Sequence, residues 1–438
     1  MRLQKRCVMF VLVLISALSL NAHAEKILGV VEGGQVRGMP IAIVPFKVMG
    51  GDPNEAQAAM PQLDKIVARN LYASGKFEPA PSERFLTFPS RREEVRAKDW
   101  RLIDVDALVI GEDWRLEDDV YEVQFRVFDV RRDEEIGLGH RIPRVNLEDF
   151  RTAAHIISDQ VYTSLTGRPG AFNSRIAYVT KTQPDFKRNR FSLMVADWDG
   201  YGATEVFGSW RPLISPTWSP DGRRLAFVTF NDDGAIVMSL EVASGRTEVI
   251  AAFKGVNSSP AFSPDGQRLA YSSSRHGSPD VFIYDLATRE HQRVTTHWGI
   301  DTEPSWSPDG RAVLFTSSRS GKAQIYRYDL SSQSLERLTF EGDESSDGSL
   351  DFESKRLVVV HDGGSIVVVD VSSGELQWIT SAKFDESPSF SPNGDMVLYA
   401  TEQNYQPVLM VASSDGRVKL PLEFVTGDVR EPAWSALK

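Results

Sequence analysis

The chain has 438 residues, with 49 Lys and Arg against 60 Asp and Glu, so its formal net charge is −11 at neutral pH. This length leaves room for two domains. An acidic chain repels the phosphate backbone of nucleic acids and the surface of anionic membranes, so we expect neither as a partner.

Residues 1–24 have the pattern of a secretory signal peptide. Three cations, Arg2, Lys5 and Arg6, precede an apolar run that is too short to span a bilayer, and an Ala-x-Ala cleavage motif ends at Ala24. Cleavage would remove three of the 49 basic residues, leaving 46 against 60 acidic ones and a net charge of −14. It would also remove Cys7, the only cysteine. We therefore expect an exported chain that is not embedded in a membrane and has no disulfide.

Residues 25–38 form a glycine-spaced lead-in with a β-prone core from Ile27 to Val31. Two readings fit this N-terminal arm. One is an ordinary edge strand, which the residues alone favour, and the other is a mobile arm that adds a strand to the sheet of a partner.

Residues 39–168 are predicted to form a small α/β domain, because apolar runs alternate with segments of helical periodicity. Predicted strands cover 41–46, 106–115, 121–129 and about 135–142, and predicted helices cover 54–74 and 147–165. Gly75 and Gly167 follow the two helices as C-terminal caps. His155 lies in the second helix, where we expect it to be solvated or to act as a cap rather than to bind a metal.

Residues 169–438 contain a motif that recurs about every 44 residues. An aromatic residue precedes a Ser-Pro-Asp-Gly turn, and a short apolar triplet follows it. The aromatic positions, called slots below, are 218, 262, 306, 350, 390 and 434, with Leu350 in place of an aromatic residue. A period of about 40–45 residues is typical of propeller blades, each a four-stranded sheet. The turn chemistry and the β-branched runs favour such blades over a helical solenoid.

Six slots match six apolar triplets, but the two series are offset at the ends. The repeats open with a triplet, Ile176 to Tyr178, and close with a slot, Trp434, that no triplet follows. The C-terminal strand should therefore complete the first blade, which protects the sheet edges. The predicted fold class is α+β with two domains, a small N-terminal α/β domain followed by a six-bladed β-propeller closed by its C-terminal strand.

The sequence offers little catalytic chemistry. It lacks the nucleophile-elbow, P-loop and zinc-protease motifs, and its histidines after residue 24 do not pair at ligand spacing. We predict no enzyme activity, no metal and no cofactor. The alternative is a propeller enzyme, a hydrolase or lyase with its site in the central channel. Propeller peptidases carry a hydrolase domain after the propeller, and we do not expect that version because the chain stops four residues after Trp434.

The order of these segments and several local motifs resemble the TolB family, the periplasmic component of the Tol–Pal envelope system of Gram-negative bacteria. The most specific stretch runs from His155 to Tyr162 and on to Tyr178, and it is similar to the domain junction of the family. Asp197-Trp198-Asp199-Gly200 resembles the first-blade turn of the family, and the stretch from Glu431 to Ser435 resembles its ending.

The resemblance implies a non-enzymatic periplasmic adaptor that supports outer-membrane integrity and envelope invagination at cell division. We expect it to be a monomer. In the family, the mature N-terminal segment binds TolA, the protein that links to the inner membrane. The corresponding residues here are Glu25, Lys26, Ile27, Leu28, Gly29, Val30 and Val31.

A ring of polar residues should line one mouth of the propeller channel. Three positions before the slots stand Ser215, Ser259, Glu303, Asp347, Ser387 and Glu431. Low-dielectric walls would focus the negative field of these acids outward, although each residue alone also fits a solvated loop end. In the resembling family this mouth receives the lipoprotein Pal. The expected Pal-binding residues are Val256, Asn257, Ser258, Ser259, Asp301, Thr302, Glu303, Asp347, Glu386 and Glu431.

Overall fold

The computed structural model describes residues 30–32, 35–50, 62–117, 119–183, 188–425 and 427–437. The predicted signal peptide and residues 25–29 of the arm lie outside these ranges. Among the described residues of the arm, β1 (Val30–Glu32) and β2 (Gln35–Arg37) pair as an antiparallel hairpin, with Val31 opposite Val36. In the described part of the chain this hairpin is a separate two-stranded sheet.

A mixed six-stranded sheet forms the centre of the N-terminal region. Its strands are β3 (Met39–Ile43), β4 (Lys47–Met49), β5 (Phe77–Pro79), β6 (Ala107–Glu117), β7 (Val120–Asp129) and β8 (Glu134–Asn146). The order is β5-β3-β6-β7-β8, and β4 also pairs with β6. Pairs among β3, β4, β5 and β6 are parallel, whereas β6, β7 and β8 form antiparallel pairs.

Helices cover both faces of this sheet. Successive side chains of a strand point to opposite faces, and in β3 both sets are apolar and buried. Ile41 and Ile43 pack on one face with α1 (Leu63–Ala73) and α3 (Phe150–Thr166), whereas Ala42 and Val44 pack on the other. The second face is covered by the short α2 (Ala97–Arg101), which contributes the fully buried Trp100. Single 3-10 turns span Ser82–Arg84, Arg92–Glu94 and Leu147–Asp149.

The two long helices end close to the predicted positions. Gly167 follows α3 in the left-handed conformation, and its amide donates to the carbonyl of Thr163. Gly75, with φ of +69°, follows the C-cap Ser74 of α1. Within the described residues α1 begins at Leu63, and the predicted first residues of this helix, 54–61, lie outside them.

Six four-stranded antiparallel sheets form the propeller, which confirms the predicted fold class. Blade 1 contains β9 (Ser174–Thr182), β10 (Arg190–Asp197) and β11 (Thr204–Ser209). Blade 2 contains β12 (Ile214–Trp218), β13 (Arg224–Asn231), β14 (Gly234–Glu241) and β15 (Thr247–Ala251). Blade 3 contains β16 (Asn257–Phe262), β17 (Arg268–Ser273), β18 (Asp280–Asp285) and β19 (His291–Arg293).

The remaining blades repeat this order. Blade 4 contains β20 (Asp301–Trp306), β21 (Ala312–Ser317), β22 (Gln324–Asp329) and β23 (Leu335–Arg337). Blade 5 contains β24 (Ser345–Leu350), β25 (Arg356–His361), β26 (Ser365–Asp370) and β27 (Leu376–Trp378). Blade 6 contains β28 (Glu386–Phe390), β29 (Met396–Gln403), β30 (Gln406–Ser413) and β31 (Lys419–Pro421).

The C-terminal strand β32 (Asp428–Leu437) closes the ring as predicted. It pairs with β9, so that blade 1 has the order β11-β10-β9-β32 and Trp434 lies opposite Ile176. The first blade is thus built from both ends of the repeat region. The closing pair removes the open edges that β9 and β32 would otherwise present.

The recurring Ser-Pro-Asp-Gly motif forms a turn that is satisfied by its own side chains. In blade 2, Ser219 Oγ donates to Asp221, and the amide of Arg224 returns to Ser219 Oγ at 2.9 Å. Gly222 has φ of +64°, and its amide donates to the carbonyl of Ser219. The motif therefore recurs because the connection between the two inner strands needs both polar side chains and the glycine.

Arginines at the start of the second strand join successive blades. Arg268 of blade 3 donates to the carbonyl of Gly310 in blade 4, and its guanidinium lies 4.6 Å from the ring centroid of Trp306. The same pair of contacts joins Arg224 to Phe262 and Gly266. Where Leu350 replaces the slot aromatic, Ala312 replaces the arginine, so the cation and its aromatic partner are lost together.

The α/β region and the propeller share one hydrophobic cluster at their junction. Trp198 stacks on Trp434 with a centroid distance of 6.1 Å and also contacts Phe172 edge-on. His155 is buried there, next to Asn70 and to the indole nitrogen of Trp198. The expectation of a solvated His155 was wrong, because the propeller covers the face of α3 that carries it.

Candidate partner-binding channel

The innermost strands of the six blades surround a central cavity of about 430 Å³. These strands are β12, β16, β20, β24, β28 and β32. The lining comes mainly from the three residues before each slot. It includes Ser215, Ser259, Glu303, Asp347, Glu386, Ser387 and Glu431.

Each inner strand carries a β-bulge at the channel wall. The register with the neighbouring strand shifts at this point in all six blades. The third residue before each slot has φ between 49° and 55°, which is a left-handed conformation that costs roughly 1–2 kcal/mol for a residue with a Cβ. A bulge re-aims a side chain. The backbone is therefore strained at six equivalent positions, and the side chains at these positions line the channel. They are Ser215, Ser259, Glu303, Asp347, Ser387 and Glu431.

Two of the channel carboxylates also hold the next blade in place. Glu303 Oε2 accepts hydrogen bonds from the hydroxyl of Thr316 at 2.7 Å and from the backbone amide of Asp347 at 2.9 Å. Glu431 Oε2 accepts a hydrogen bond from the backbone amide of Ser215 at 2.9 Å. These contacts fix the orientation of both carboxylates at the channel wall.

Two of the channel carboxylates, Asp347 and Glu431, resist ionisation. Burial raises the pKa of Asp347 well above its usual range, and the negative charges of Glu303, Glu431 and Glu386 raise this pKa further. Burial also raises the pKa of Glu431, with Glu386 and Glu303 adding to the shift. A cationic or amide-rich surface that enters the channel would relieve this repulsion.

The structure brings half of the expected Pal-binding residues together in the channel wall. These five are Ser259, Glu303, Asp347, Glu386 and Glu431. Ser258 and Thr302 lie one position nearer the strand start and are half-buried, and Val256 is exposed just before β16.

Asn257 and Asp301 occupy a different environment, buried inside their blades. The amide of Asn257 donates to the carbonyls of Ala235 and Phe253, and its carbonyl accepts from Ser273. Asp301 pairs with Arg319 at 2.8 Å and accepts a hydrogen bond from Ser317. Both residues anchor the start of an inner strand, so any influence on a partner passes through that strand.

The expected TolA-binding residues are described only in part. Val30 and Val31 belong to β1 of the N-terminal hairpin. Glu25, Lys26, Ile27, Leu28 and Gly29 lie outside the described residues.

Asp385, at the repeat position of Asn257 and Asp301, escaped the sequence reasoning. The fifth residue before each slot reads Leu213, Asn257, Asp301, Ser345, Asp385 and Val429. Asp385 is 2% exposed, and neither of its carboxylate oxygens has a hydrogen-bond partner among the described residues. Aligning the six repeats by this column is the signal that identifies it.

The described residues give no sign of a metal centre or of a membrane span. They hold no group of three or more His, Cys, Asp or Glu side chains arranged to bind a metal ion. No helix in the same ranges is both long and apolar enough to cross a membrane.

Family comparisons cover both parts of the chain. The TolB amino-terminal domain matches residues 30–136, and the TolB beta propeller domain matches residues 162–438.

Curated relatives and a solved structure agree with these matches. The chain is 50% identical to a Tol-Pal system protein TolB of Nitrosococcus oceani, over 92% of each chain. It is 45% identical to the protein of the same name in Xanthomonas oryzae pv. oryzae, over 96% of each chain. A crystal structure of TolB from Acinetobacter baumannii superposes with a TM-score of 0.81 at 37% identity, covering 91% of this chain and 97% of the other.

Proposed function

The chain belongs to the TolB family of Tol-Pal system proteins, and on that premise we propose that it is a non-enzymatic adaptor of the periplasm. It binds Pal at the propeller mouth and TolA through the N-terminal arm, and it supports outer-membrane integrity and envelope invagination at cell division. The observation that carries the proposal is the acidic channel, because six strained bulges direct polar residues to one cavity.

The proposed chain organisation follows the structural elements. Residues 1–24 are the signal peptide, 25–38 the arm, 39–168 the α/β domain and 169–438 the propeller. The last boundary lies between the capping residue Gly167 and the first propeller strand, which begins at Ser174. Asp159 fixes this connection by accepting hydrogen bonds from the backbone amides of Phe172 and Asn173. Gly170 passes so close to Asp159 that a Cβ would clash with it.

The Pal site comprises the channel wall and the strand starts around it. Glu303, Asp347, Glu386 and Glu431 place carboxyl groups at the centre, which favours a partner surface rich in basic or amide groups. Val256, Ser258, Ser259 and Thr302 surround this centre, and the buried side chains of Asn257 and Asp301 position the strands that present it.

The TolA site is the arm from Glu25 to Val31. The hairpin that contains Val30 and Val31 is a two-stranded sheet by itself in the described ranges. An isolated hairpin is marginally stable in water, and its strands can pair with a sheet edge of another protein. This supports strand addition as the mode of TolA binding.

We assign no catalytic role to the channel carboxylates. Glu303 and Glu431 are already engaged with backbone amides of the neighbouring blades, which is a structural use of both groups. The alternative of a hydrolase or lyase predicts turnover of sugar or peptide substrates by the purified chain. That turnover should disappear in a variant with Glu303 and Asp347 both changed to amides.

The proposal is tested by calorimetry with the soluble domains of Pal and TolA. Glu303→Lys reverses one charge of the ring and should weaken Pal binding more than tenfold, about 1.4 kcal/mol, while TolA binding is unchanged. Glu303→Gln keeps the acceptor oxygen for Thr316 and Asp347 and serves as the variant that preserves the fold. Glu336→Lys is the matched control, because Glu336 is exposed on β23, the outermost strand of the same blade.

An unchanged Pal affinity of folded Glu303→Lys at moderate salt would exclude the channel as the Pal site. Equal losses in Glu303→Lys and Glu336→Lys would indicate a general charge effect rather than a site.

A further inference from the structure

A second cavity, of about 480 Å³, opens where blades 5, 6 and 1 meet at the channel mouth. We call it the Asp385 pocket. Its polar lining includes Lys383, Asp385, Glu386, Glu402 and Arg430. Val360, Phe384 and Pro407 add apolar surface, so the cavity has both a charged end and an apolar wall.

Asp385 is the unusual group in this lining. Its side chain is buried, and both carboxylate oxygens are without a hydrogen-bond partner among the described residues. A carboxylate withdrawn from water without a donor or a counter-ion destabilises the folded state. The fold therefore carries a cost at Asp385 that its own described residues do not offset.

Equivalent positions in the three preceding blades are satisfied from within the blade. In blade 3, Asn257 contacts Ser273, and in blade 5, Ser345 contacts His361. In blade 4, Asp301 contacts both Ser317 and Arg319. Arg319 donates to both carboxylate oxygens of Asp301, so blade 4 shows how a buried aspartate at this position is neutralised.

Blade 6 differs in two ways that open its aspartate to the cavity. Pairing of the inner two strands begins with Asn257 opposite Ser273 in blade 3 and Asp301 opposite Ser317 in blade 4, but one residue later in blade 6, with Glu386 opposite Ala400. Gln403 stands where blade 4 has Arg319, and its amide nitrogen contacts the sulfur of Met410. Asp385 therefore has no partner residue on the neighbouring strand, and its carboxylate faces the cavity.

The charges around the cavity favour a cation. Three carboxylates, from Asp385, Glu386 and Glu402, line it against Lys383 and Arg430, and Arg430 is ion-paired with Asp428 at 3.4 Å. Phe384 is 72% exposed beside the opening, and it offers an aromatic face to a guanidinium or its aliphatic stem. Arginine is the side chain best suited to a buried carboxylate, because its planar fork donates to both oxygens.

We propose that the Asp385 pocket binds an arginine side chain of the protein that docks on the channel mouth. This inference rests on the proposed function, in which that protein is Pal. The incoming guanidinium would repeat between two proteins the contact that Arg319 and Asp301 make within blade 4. The pocket would then determine how the partner is oriented about the channel axis, since the other five blades have no equivalent unpaired aspartate in the described residues.

The test measures stability and binding in the same variant. Asp385→Asn removes the buried charge with little change in shape, so the free protein should melt at a higher temperature while its affinity for the soluble domain of Pal falls at least tenfold. Glu336→Gln, at an exposed position on β23 of blade 4 outside the pocket, is the control and should change the affinity less than twofold. A residue with a merely structural role would lower the melting temperature and the affinity together, and that result would overturn the proposal.

A second experiment needs no protein partner and separates this proposal from the proposed function. N-acetyl-arginine methylamide, added at millimolar concentration, should raise the melting temperature of the unmodified chain but not that of Asp385→Asn. The citrulline analogue, which is neutral, should leave both unchanged. If the unmodified chain fails to bind Pal, the proposed function fails, and the arginine probe alone decides on the pocket. Equal changes in melting temperature of the unmodified chain and Asp385→Asn on adding the arginine probe would refute the pocket as an arginine site.

Discussion

Closure of the propeller by its last strand makes Trp434 a sensitive test of the fold. The residue is 7% exposed, and its indole ring stacks on Trp198 with an angle of 4° between the rings. The indole nitrogen donates to Ser174 Oγ at 2.8 Å, and the backbone amide donates to Ser389 in blade 6. Trp434 therefore connects the first blade, the last blade and the α/β region.

Trp434→Ala should destabilise the protein by about 3–5 kcal/mol, the usual cost of removing a buried aromatic side chain. Ser174 Oγ keeps a partner in the variant, because it donates to the carbonyl of Ala171, so no buried hydroxyl is left unsatisfied. With an unfolding entropy of about 2.1 cal/mol/K per residue over the propeller, residues 169–438, the loss lowers Tm by roughly 5–9 °C. Thermal unfolding followed by circular dichroism measures it.

Two variants make the comparison specific. Trp298 is 77% exposed, so Trp298→Ala should change stability by less than about 0.5 kcal/mol. Trp434→Phe keeps an aromatic ring against Trp198 but loses the hydrogen bond to Ser174, and its Tm should lie between those of the unmodified chain and Trp434→Ala. Similar Tm shifts for Trp434→Ala and Trp298→Ala would refute the role assigned to the closing strand.

Two further predictions concern the channel and the arm. Asp347→Asn should raise Tm at pH 8 and leave it unchanged near pH 3. The raised pKa of Asp347 means that the folded state binds the proton more tightly, so the unmodified chain loses stability as pH rises above the unfolded pKa of about 4. A variant that melts lower than the unmodified chain at pH 8 would contradict this assignment. Deletion of residues 25–33 should abolish TolA binding in calorimetry and leave Tm nearly unchanged, and normal TolA binding by the deletion variant would refute the arm as its site.

Local chemistry determined much of this architecture in a form that can be read from the chain. Each Ser-Pro-Asp-Gly turn is satisfied within about five residues, as the contacts of Ser219 and Asp221 show, so its position in the sequence marks the same junction in several blades. The unmatched triplet at Ile176 and the unmatched slot at Trp434 predicted the closing pair. Apolar periodicity likewise identified the long strands and helices of the α/β region.

Elements with weak local signals were missed. The strand β5 has only three residues and ends in proline, and it exists because β3 offers a parallel partner edge. The arginines that join successive blades were also missed, because Arg268 meets Trp306 only when two blades lie side by side.

The candidate site divides in the same way. Repeat spacing placed Glu303, Asp347 and Glu431 at one level of the ring, and the structure finds all three in the channel lining. Repeat spacing did not show that Arg319 neutralises Asp301 whereas Asp385 faces a cavity. Nor did the sequence show that the propeller covers His155. Turn formation and strand alternation depend on neighbours within a few residues, so the sequence by itself determined the blades and their number. Burial and charge pairing depend on residues tens to hundreds of positions away, and only the tertiary structure decided which polar groups lie in the interior and which of them remain open to a ligand.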